Sequence, residues 1–317
     1  MKHHEQRVPD KATLLETQAL LRPFLHRTPV LRSAALDRLA GCALFFKTEN
    51  FQKTGSFKAR GALNAVLRSV ANVDHFITHS SGNHGQALAW AAAQKGAKAT
   101  IVMPENAPRV KVDAVRDYGG EVVFCATNQA AREATMADLR ERSGAAFVPP
   151  YDDYHIIAGQ ASATLELLEE VPNLDMIWAP VGGGGLVSGA ALAVHYMKPE
   201  VEVWAGEPAG ADDAYRSFYG SKHVRSQQPR TVADGLLTTL GVLNYQLISR
   251  HLTGIVRVTD EEIIAAMRLI YERLKIVIEP SCAVPLAAIL QRKGAFAERR
   301  LGLIISGGNV DLNRLPF

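Results

Sequence analysis

A chain of 317 residues exceeds the length over which a single hydrophobic core keeps growing, and a composition 47% hydrophobic and 21% charged excludes the disordered and fibrous classes. A net charge of +3, with no long block of Lys and Arg, offers nucleic acid no basic stripe, and no apolar run reaches the length of a membrane span. The expectation is a globular protein of two lobes that handles a small molecule.

The polar start, Met1 to Gln6, lacks the apolar stretch and cleavage site of a secretory signal, so a cytoplasmic location is expected. Cys42, Cys125 and Cys282 are far apart with no CxxC spacing, and they read as buried free thiols rather than a zinc or redox motif. A helix is expected around Leu14 to Leu25. Apolar strands then alternate with helices nearly to Phe317, the pattern of a parallel sheet covered on both faces, hence an α/β fold. Strands at His75–Ser80, Ala99–Pro104, Glu121–Ala126 and Ala145–Pro149 form one small unit. Strands at Met176–Val181, Val201–Gly206, Ile255–Thr259 and Leu301–Ser306 form a second series, which needs the early part of the chain to complete its sheet. The small lobe, 73–150, is thereby expected to be inserted in a large lobe made of 1–72 and 151–317. Ligands of such sheets bind beyond the carboxyl ends of the strands.

Lys47 to Ala62 leaves a strand and opens a helix, with Ser56 as the expected N-cap and Lys58 in the first helical turn. The helix dipole disfavours a cation there and favours a neutral amine, the form that attacks an aldehyde; the bland alternative is a solvated surface lysine. Thr78 to Gln86 (Thr-His-Ser-Ser-Gly-Asn-His-Gly-Gln) lies between a strand and the helical run Ala87–Lys95, where free backbone N–H groups suit a carboxylate or merely cap a turn. Ala179 to Gly189 carries the run Gly182–Gly185 between a strand and a helix, a cradle for phosphate; no GK[ST] follows, which argues against nucleotide hydrolysis. Glu207, Asp212 and Asp213 crowd oxygen ligands suited to Mg²⁺ or Ca²⁺ behind another strand, or else form a solvated helix start. Ser306 ends the last buried strand, ahead of Gly307 and Gly308.

Taken in this order, the lysine segment, the serine and asparagine loop, the glycine run and the Ser306 strand resemble the serine/threonine dehydratase and serine racemase family of fold-type II pyridoxal-phosphate enzymes. The resemblance implies a tryptophan synthase β-like fold, with two open, twisted, mainly parallel sheets covered by helices. It implies that Lys58 carries pyridoxal 5'-phosphate, that Asn83 contacts the ring oxygen, and that Gly182, Gly183, Gly184, Gly185 and Leu186 hold the phosphate. Ser306 would face the pyridine nitrogen, where a hydroxyl suits a neutral ring. Ser80, Ser81, Asn83 and His84 would bind the substrate carboxylate, and Ser81 would be the acid/base on the face opposite the lysine. Glu207, the Ala211 carbonyl and Asp213 would bind a divalent cation. Gln86 and Lys275 match positions near the nucleotide site of related racemases, and the assembly implied is a homodimer.

Tyr151 departs from serine racemase, which has asparagine there, and resembles the Phe/Tyr-Asp-Asp form of bacterial threonine dehydratases. The chain ends soon after the Ser306 strand, so no C-terminal regulatory domain or isoleucine feedback is expected. The activity implied is β-elimination, with Lys58 taking the Cα proton and L-threonine or L-serine yielding 2-oxobutanoate or pyruvate plus ammonia. Alternatives are serine racemization and a 3-hydroxyaspartate ammonia-lyase, for which Arg132 is a candidate second-carboxylate partner. A non-catalytic amino-acid sensor is the alternative from a different class.

Overall fold

The structure, a computed structural model, describes residues 7–317 apart from 81, 108 and 227 and apart from the side chains of 129, 130 and 133. Helix α1 (Lys11–Leu21) begins where Asp10 accepts the Thr13 backbone N–H at 2.8 Å. It therefore starts before the expected Leu14, and it stops short of Leu25 because Pro23 cannot continue the backbone ladder. Strand β1 (Val30–Leu31), helix α2 (Ala34–Ala40) and strand β2 (Ala43–Thr48) follow, and helix α3 (Lys58–Leu67) closes this first part of the chain.

A four-stranded unit comes next: β3 (His75–His79), α4 (Asn83–Gln94), β4 (Lys98–Pro104), α5 (Arg109–Asp117), β5 (Glu121–Cys125), α6 (Gln129–Ser143) and β6 (Ala146–Phe147). Its order is β5-β4-β3-β6, with every pairing parallel. The edge strand β6 is shorter than expected, since Pro149 and Pro150 behind it have no N–H for a ladder.

The remainder comprises α7 (Tyr154–Glu170), β7 (Met176–Pro180), α8 (Gly185–Met197), β8 (Glu202–Pro208), α9 (Asp213–Tyr219), α10 (Val242–His251), β9 (Gly254–Val258), α11 (Asp260–Leu274), α12 (Val284–Gln291) and β10 (Arg300–Ile305). Together with β1 and β2 these strands form a six-stranded sheet, β1-β2-β10-β7-β8-β9, parallel except where β1 runs against β2. Residues of α2, α11 and α12 pack with one face in a single apolar cluster, and those of α7 and α8 with the other. Burial on both faces explains the continuous apolar runs of β7 and β10. The chain runs outward from β7 through β8 to β9, then returns to lay β10 between β7 and β2. A crevice belongs at that reversal, at the carboxyl ends of the strands.

The helix that begins with Lys58 is fastened by a buried ionic cluster. The Arg60 guanidinium, 1% exposed, donates to both Glu49 oxygens (2.6 and 2.8 Å) and both Glu166 oxygens (2.8 and 2.9 Å). Lys47 donates to Glu166 at 2.6 Å, and the Thr28 hydroxyl to Glu49 at 2.6 Å. Two cations and two anions thus balance inside the fold, tying α3 to β2 and α7. Among the described residues no helix is long and apolar enough to cross a membrane.

Candidate active site

Lys58 lies where two chain crossings meet. Ser56 does not cap α3; its backbone is extended and bridges Gly307 at the end of β10, and Phe57 precedes the helix without a side-chain cap. The Phe57 N–H donates to the Ser306 carbonyl at 3.0 Å and the Gly308 N–H to the Gly55 carbonyl at 2.9 Å. The expected N-cap gives way because those pairings hold residue 56 in a strand-like conformation. Lys58 Nζ donates to the Pro150 carbonyl at 2.7 Å and sits 6.0 Å from the centre of the Tyr151 ring. Burial pulls this amine down to about 8 from its ordinary 10.5, against the opposing pull of the Glu279 carboxylate. A substantial fraction is therefore neutral near physiological pH, as nucleophilic attack on an aldehyde requires.

Glu279, which the sequence reading missed, is the main electrostatic feature of the cleft. Burial pushes its carboxyl up to about 7, with Asp234 adding to the rise and the hydrogen bonds from Asn83 opposing it. Asn83 Nδ2 donates to both of its oxygens at 2.9 Å, and Asn309 Nδ2 donates to Asn83 Oδ1 at 2.9 Å. Asn83 is thus held by Glu279 and Asn309. Nothing in the short apolar run ahead of Glu279 announces a buried carboxylate; only Pro280, which opens a single helical turn behind it, punctuates the sequence there.

Asn83 and His84 belong to the first turn of α4, which starts before the expected Ala87. Ser80 follows β3, and its hydroxyl accepts the Gly82 N–H at 3.2 Å. A Cβ on Gly82 would meet nothing within 4 Å, so the space before these helix-terminal N–H groups is open to an anion. His84 is buried; its Nε2 lies 3.0 Å from the Val148 carbonyl, and burial together with the Lys58 charge pulls it down to about 3. It is therefore a neutral donor to a carbonyl, a positioning role. Ser81 lies outside the described residues.

Opposite this loop, Gly182, Gly183 and Gly184 turn from β7 into α8, which begins at Gly185 and Leu186. The turn needs its glycines. A Cβ on Gly183 would fall 2.3 Å from the Tyr151 ring, and Gly184 has φ +94 with Asn244 Cβ 2.7 Å from where its own Cβ would be. The first N–H groups of α8 have no intrahelical acceptor, and the Ser188 hydroxyl in its first turn is buried without a partner among the described residues. A backbone of this shape and chemistry suits a phosphate. Ser306, next along from β10, faces Cys282, with Oγ and Sγ 3.3 Å apart. The register of β10 on β7, Leu303 against Trp178, sets Ser306 beside Val181 when extended, one position before the glycine turn. A lysine of lowered proton affinity, a glycine turn suited to phosphate and the Ser306 hydroxyl at the end of β10 fit a phosphorylated aromatic aldehyde.

Behind β8, Glu207 and Asp213 are fully buried. Glu207 accepts the N–H groups of Ala214 and Tyr215 at 2.9 and 2.7 Å, and Asp213 Oδ2 accepts that of Leu240 at 2.7 Å. Burial pushes both carboxyls up, Glu207 well above the usual carboxylate range, and Asp213 contributes to the rise at Glu207. Asp213 Oδ1 has no partner among the described residues, and Ala211 lies in the intervening turn. No group of three or more His, Cys, Asp or Glu that could hold a metal occurs among the described residues. Any ion here would rest on two carboxylates and backbone carbonyls.

Gln86 is buried in α4, and Lys275 follows α11 in a left-handed conformation (φ 60). Neither makes a contact that identifies a nucleotide.

Residues 21–307 match the family described as "Pyridoxal-phosphate dependent enzyme". The chain is similar to the β-hydroxyaspartate dehydratase of Paracoccus denitrificans (45% identical, covering 98% of this chain and 99% of the relative) and to the serine racemase of Dictyostelium discoideum (46% identical, 95% and 94% covered). Among solved structures it superposes on a threonine deaminase from T.th. with TM-score 0.92 at 42% identity, covering 96% of this chain and all of the other.

Proposed function

The chain belongs to the fold-type II pyridoxal-phosphate dependent enzymes, and on that footing we propose that it is an ammonia-lyase of β-hydroxy amino acids, converting L-threonine or L-serine to 2-oxobutanoate or pyruvate plus ammonia. The observation that carries the reading is Lys58, a half-buried amine pulled down to about 8 that lies 6.0 Å from the Tyr151 ring against which Gly183 of the glycine turn packs. Bound at Lys58, the cofactor supplies an electron sink for charge developing at the substrate α-carbon. Gly182 to Leu186 would hold its phosphate, Asn83 its ring oxygen and Ser306 its ring nitrogen. With its amine free, Lys58 would take the Cα proton. The α4 N-terminus, with Ser80, Asn83 and His84 ordering it, receives the carboxylate and fixes the Cα–H bond towards the lysine. The β-hydroxyl would leave as water with the proton that Lys58 took, and hydrolysis of the released unsaturated amine by one water would give the oxo acid and ammonia. Movement of the 73–150 lobe over the substrate excludes water.

A second substrate reading has its own support. Arg132 Nε, near the start of α6, is buried without a partner among the described residues, which suits a substrate bearing a second carboxylate such as 3-hydroxyaspartate. Racemization would need a proton donor opposite Lys58, the role expected of Ser81. We also assign a divalent cation to Glu207, Asp213 and the Ala211 carbonyl, supported by the unpartnered Asp213 oxygen, and a homodimer, for which exposed Phe51 and Val277 offer apolar surface. Incubation of cofactor-loaded protein with L-threonine, L-serine and 3-hydroxyaspartate, reading oxo acid, ammonia and D-serine, tests the assignment. Elimination from at least one is expected. No turnover despite bound cofactor would favour an amino-acid sensor, and protein that stays colourless with added cofactor would sink the reading altogether.

A further inference from the structure

We propose that Cys282 is a positioning residue that fixes the sense of the Ser306 hydrogen bond, making its hydroxyl a donor to the cofactor ring nitrogen and keeping that nitrogen unprotonated. The proposal rests on the cofactor reading above and adds to it a residue outside the motifs that carried the reading.

The argument is a count of hydrogens. Among the described residues Cys282 Sγ has three polar neighbours: the Gly307 carbonyl at 2.8 Å, the Gly307 N–H at 3.0 Å and the Ser306 hydroxyl at 3.3 Å. The thiol has one hydrogen to give. The carbonyl can only accept, and it is the nearer of the two acceptors, so the S–H points to Gly307. The sulfur then accepts from the Gly307 N–H and has no hydrogen left for Ser306. Ser306 Oγ therefore keeps its own proton free to donate, to sulfur or to something better. Thiol sulfur is a weak acceptor and a pyridine nitrogen a strong one, so an arriving ring nitrogen takes that proton's bond without a contest. A hydroxyl that donates cannot also accept along the same direction, and a ring N–H would meet a hydrogen.

The thiol is suited to this and little else. Cys282 is 1% exposed, and burial raises its proton affinity, so it keeps its hydrogen and is no nucleophile. Its backbone is fixed in the turn behind Glu279, where its N–H donates to the Glu279 carbonyl at 3.0 Å. Serine in its place would reverse the logic. A hydroxyl accepts more strongly than sulfur and would compete for the Ser306 proton, turning the Ser306 lone pairs to the ring.

The test compares wild type, Cys282→Ser and Cys282→Ala loaded with cofactor carrying 15N at the ring nitrogen, read by 15N NMR at neutral pH together with the cofactor dissociation constant. The wild-type shift should fall in the unprotonated range. The serine variant should move toward the protonated range, with the proton affinity of the ring up by about tenfold, one pKa unit. The alanine variant, in which nothing fixes the sense of the Ser306 hydroxyl, should give a shift between those of wild type and the serine variant and bind cofactor several-fold more weakly. A merely structural cysteine would leave the 15N shift unmoved. A protonated wild-type ring, or a serine variant that matches wild type, overturns the proposal. If the serine variant does not fold, an unchanged dissociation constant in the alanine variant overturns it alone. Wild type that takes up no label on Lys58, checked by mass after borohydride reduction, refutes the cofactor reading first and is distinguishable for that reason.

Discussion

Replacing Arg60 by methionine keeps a long side chain in place but removes the charge at the centre of the buried cluster. In the folded protein this guanidinium is 1% exposed and meets both oxygens of Glu49 and of Glu166. Without it, two buried carboxylates share one cation, Lys47, which reaches only Glu166. Breaking a buried ionic pair by deleting one partner costs about 3–5 kcal/mol, because the remaining charge is stranded away from water. Melting temperatures move by about 2–4 °C per kcal/mol for chains of roughly 150–250 residues, and less for longer ones, so a fall of about 4–8 °C is expected. Thermal unfolding followed by circular dichroism measures it, with Arg142→Ala as the control. That arginine pairs with Asp138 at 3.3 Å on the surface, both side chains well over half exposed, and its loss should matter by less than about 0.5 kcal/mol. If Arg60→Met melts within about 2 °C of the parent, as the surface control should, the reasoning about stranded charge is wrong.

Other outcomes follow from the cleft and the acidic pair. In cofactor-free protein, Lys58 should react with an amine-directed reagent with a midpoint near pH 8, while surface lysines follow at about 10.4, as peptide mass spectrometry can resolve; a common midpoint would contradict its burial. Linked to folding, the lowered affinity for a proton means that stability rises as pH goes from about 8 toward 10.5 and carries a constant penalty below that window. Gly183→Ala places a methyl 2.3 Å from the Tyr151 ring and should abolish visible-band cofactor uptake while leaving far-UV circular dichroism native-like. Adding Mg²⁺ or Ca²⁺ should raise the melting temperature, by the equivalent of about 2.7 kcal/mol at a hundredfold excess over the dissociation constant, and Asp213→Asn should erase the rise; an equal rise in that variant would place the ion elsewhere.

What could be read in the sequence was whatever is local. Lys58 and the run Gly182–Gly185 each sit between a strand and a helix, and both the periodicity and the breakers lie within a few residues, so their placement followed. Helix boundaries depended on single caps: Asp10 moved the start of α1, and a Gly82 cap drew Asn83 and His84 into α4. Ser56 misled because a serine before a helix reads as a cap, while its partner in the backbone bridge, Gly307, lies far along the chain. Glu279, Asn309 and the contacts of Cys282, whose burial alone was expected, were invisible for the same reason. Their meaning comes from neighbours that only the closed sheet supplies, and a carboxylate beside a proline carries no sign that it will be buried.

The bridge between Ser56 and Gly307 also constrains how the enzyme matures. A nascent chain emerging from the ribosome presents the lysine segment early, yet the strand that pins it, with the Ser306 carbonyl receiving the Phe57 N–H, is translated only after most of the polypeptide. Until β10 threads between β2 and β7, that segment lacks the backbone bonds it makes with Ser306 and Gly308. Loading with the aldehyde is therefore expected only once β10 is in place, and a ribosome stalled before it would hold a chain with the right lysine but without those backbone bonds.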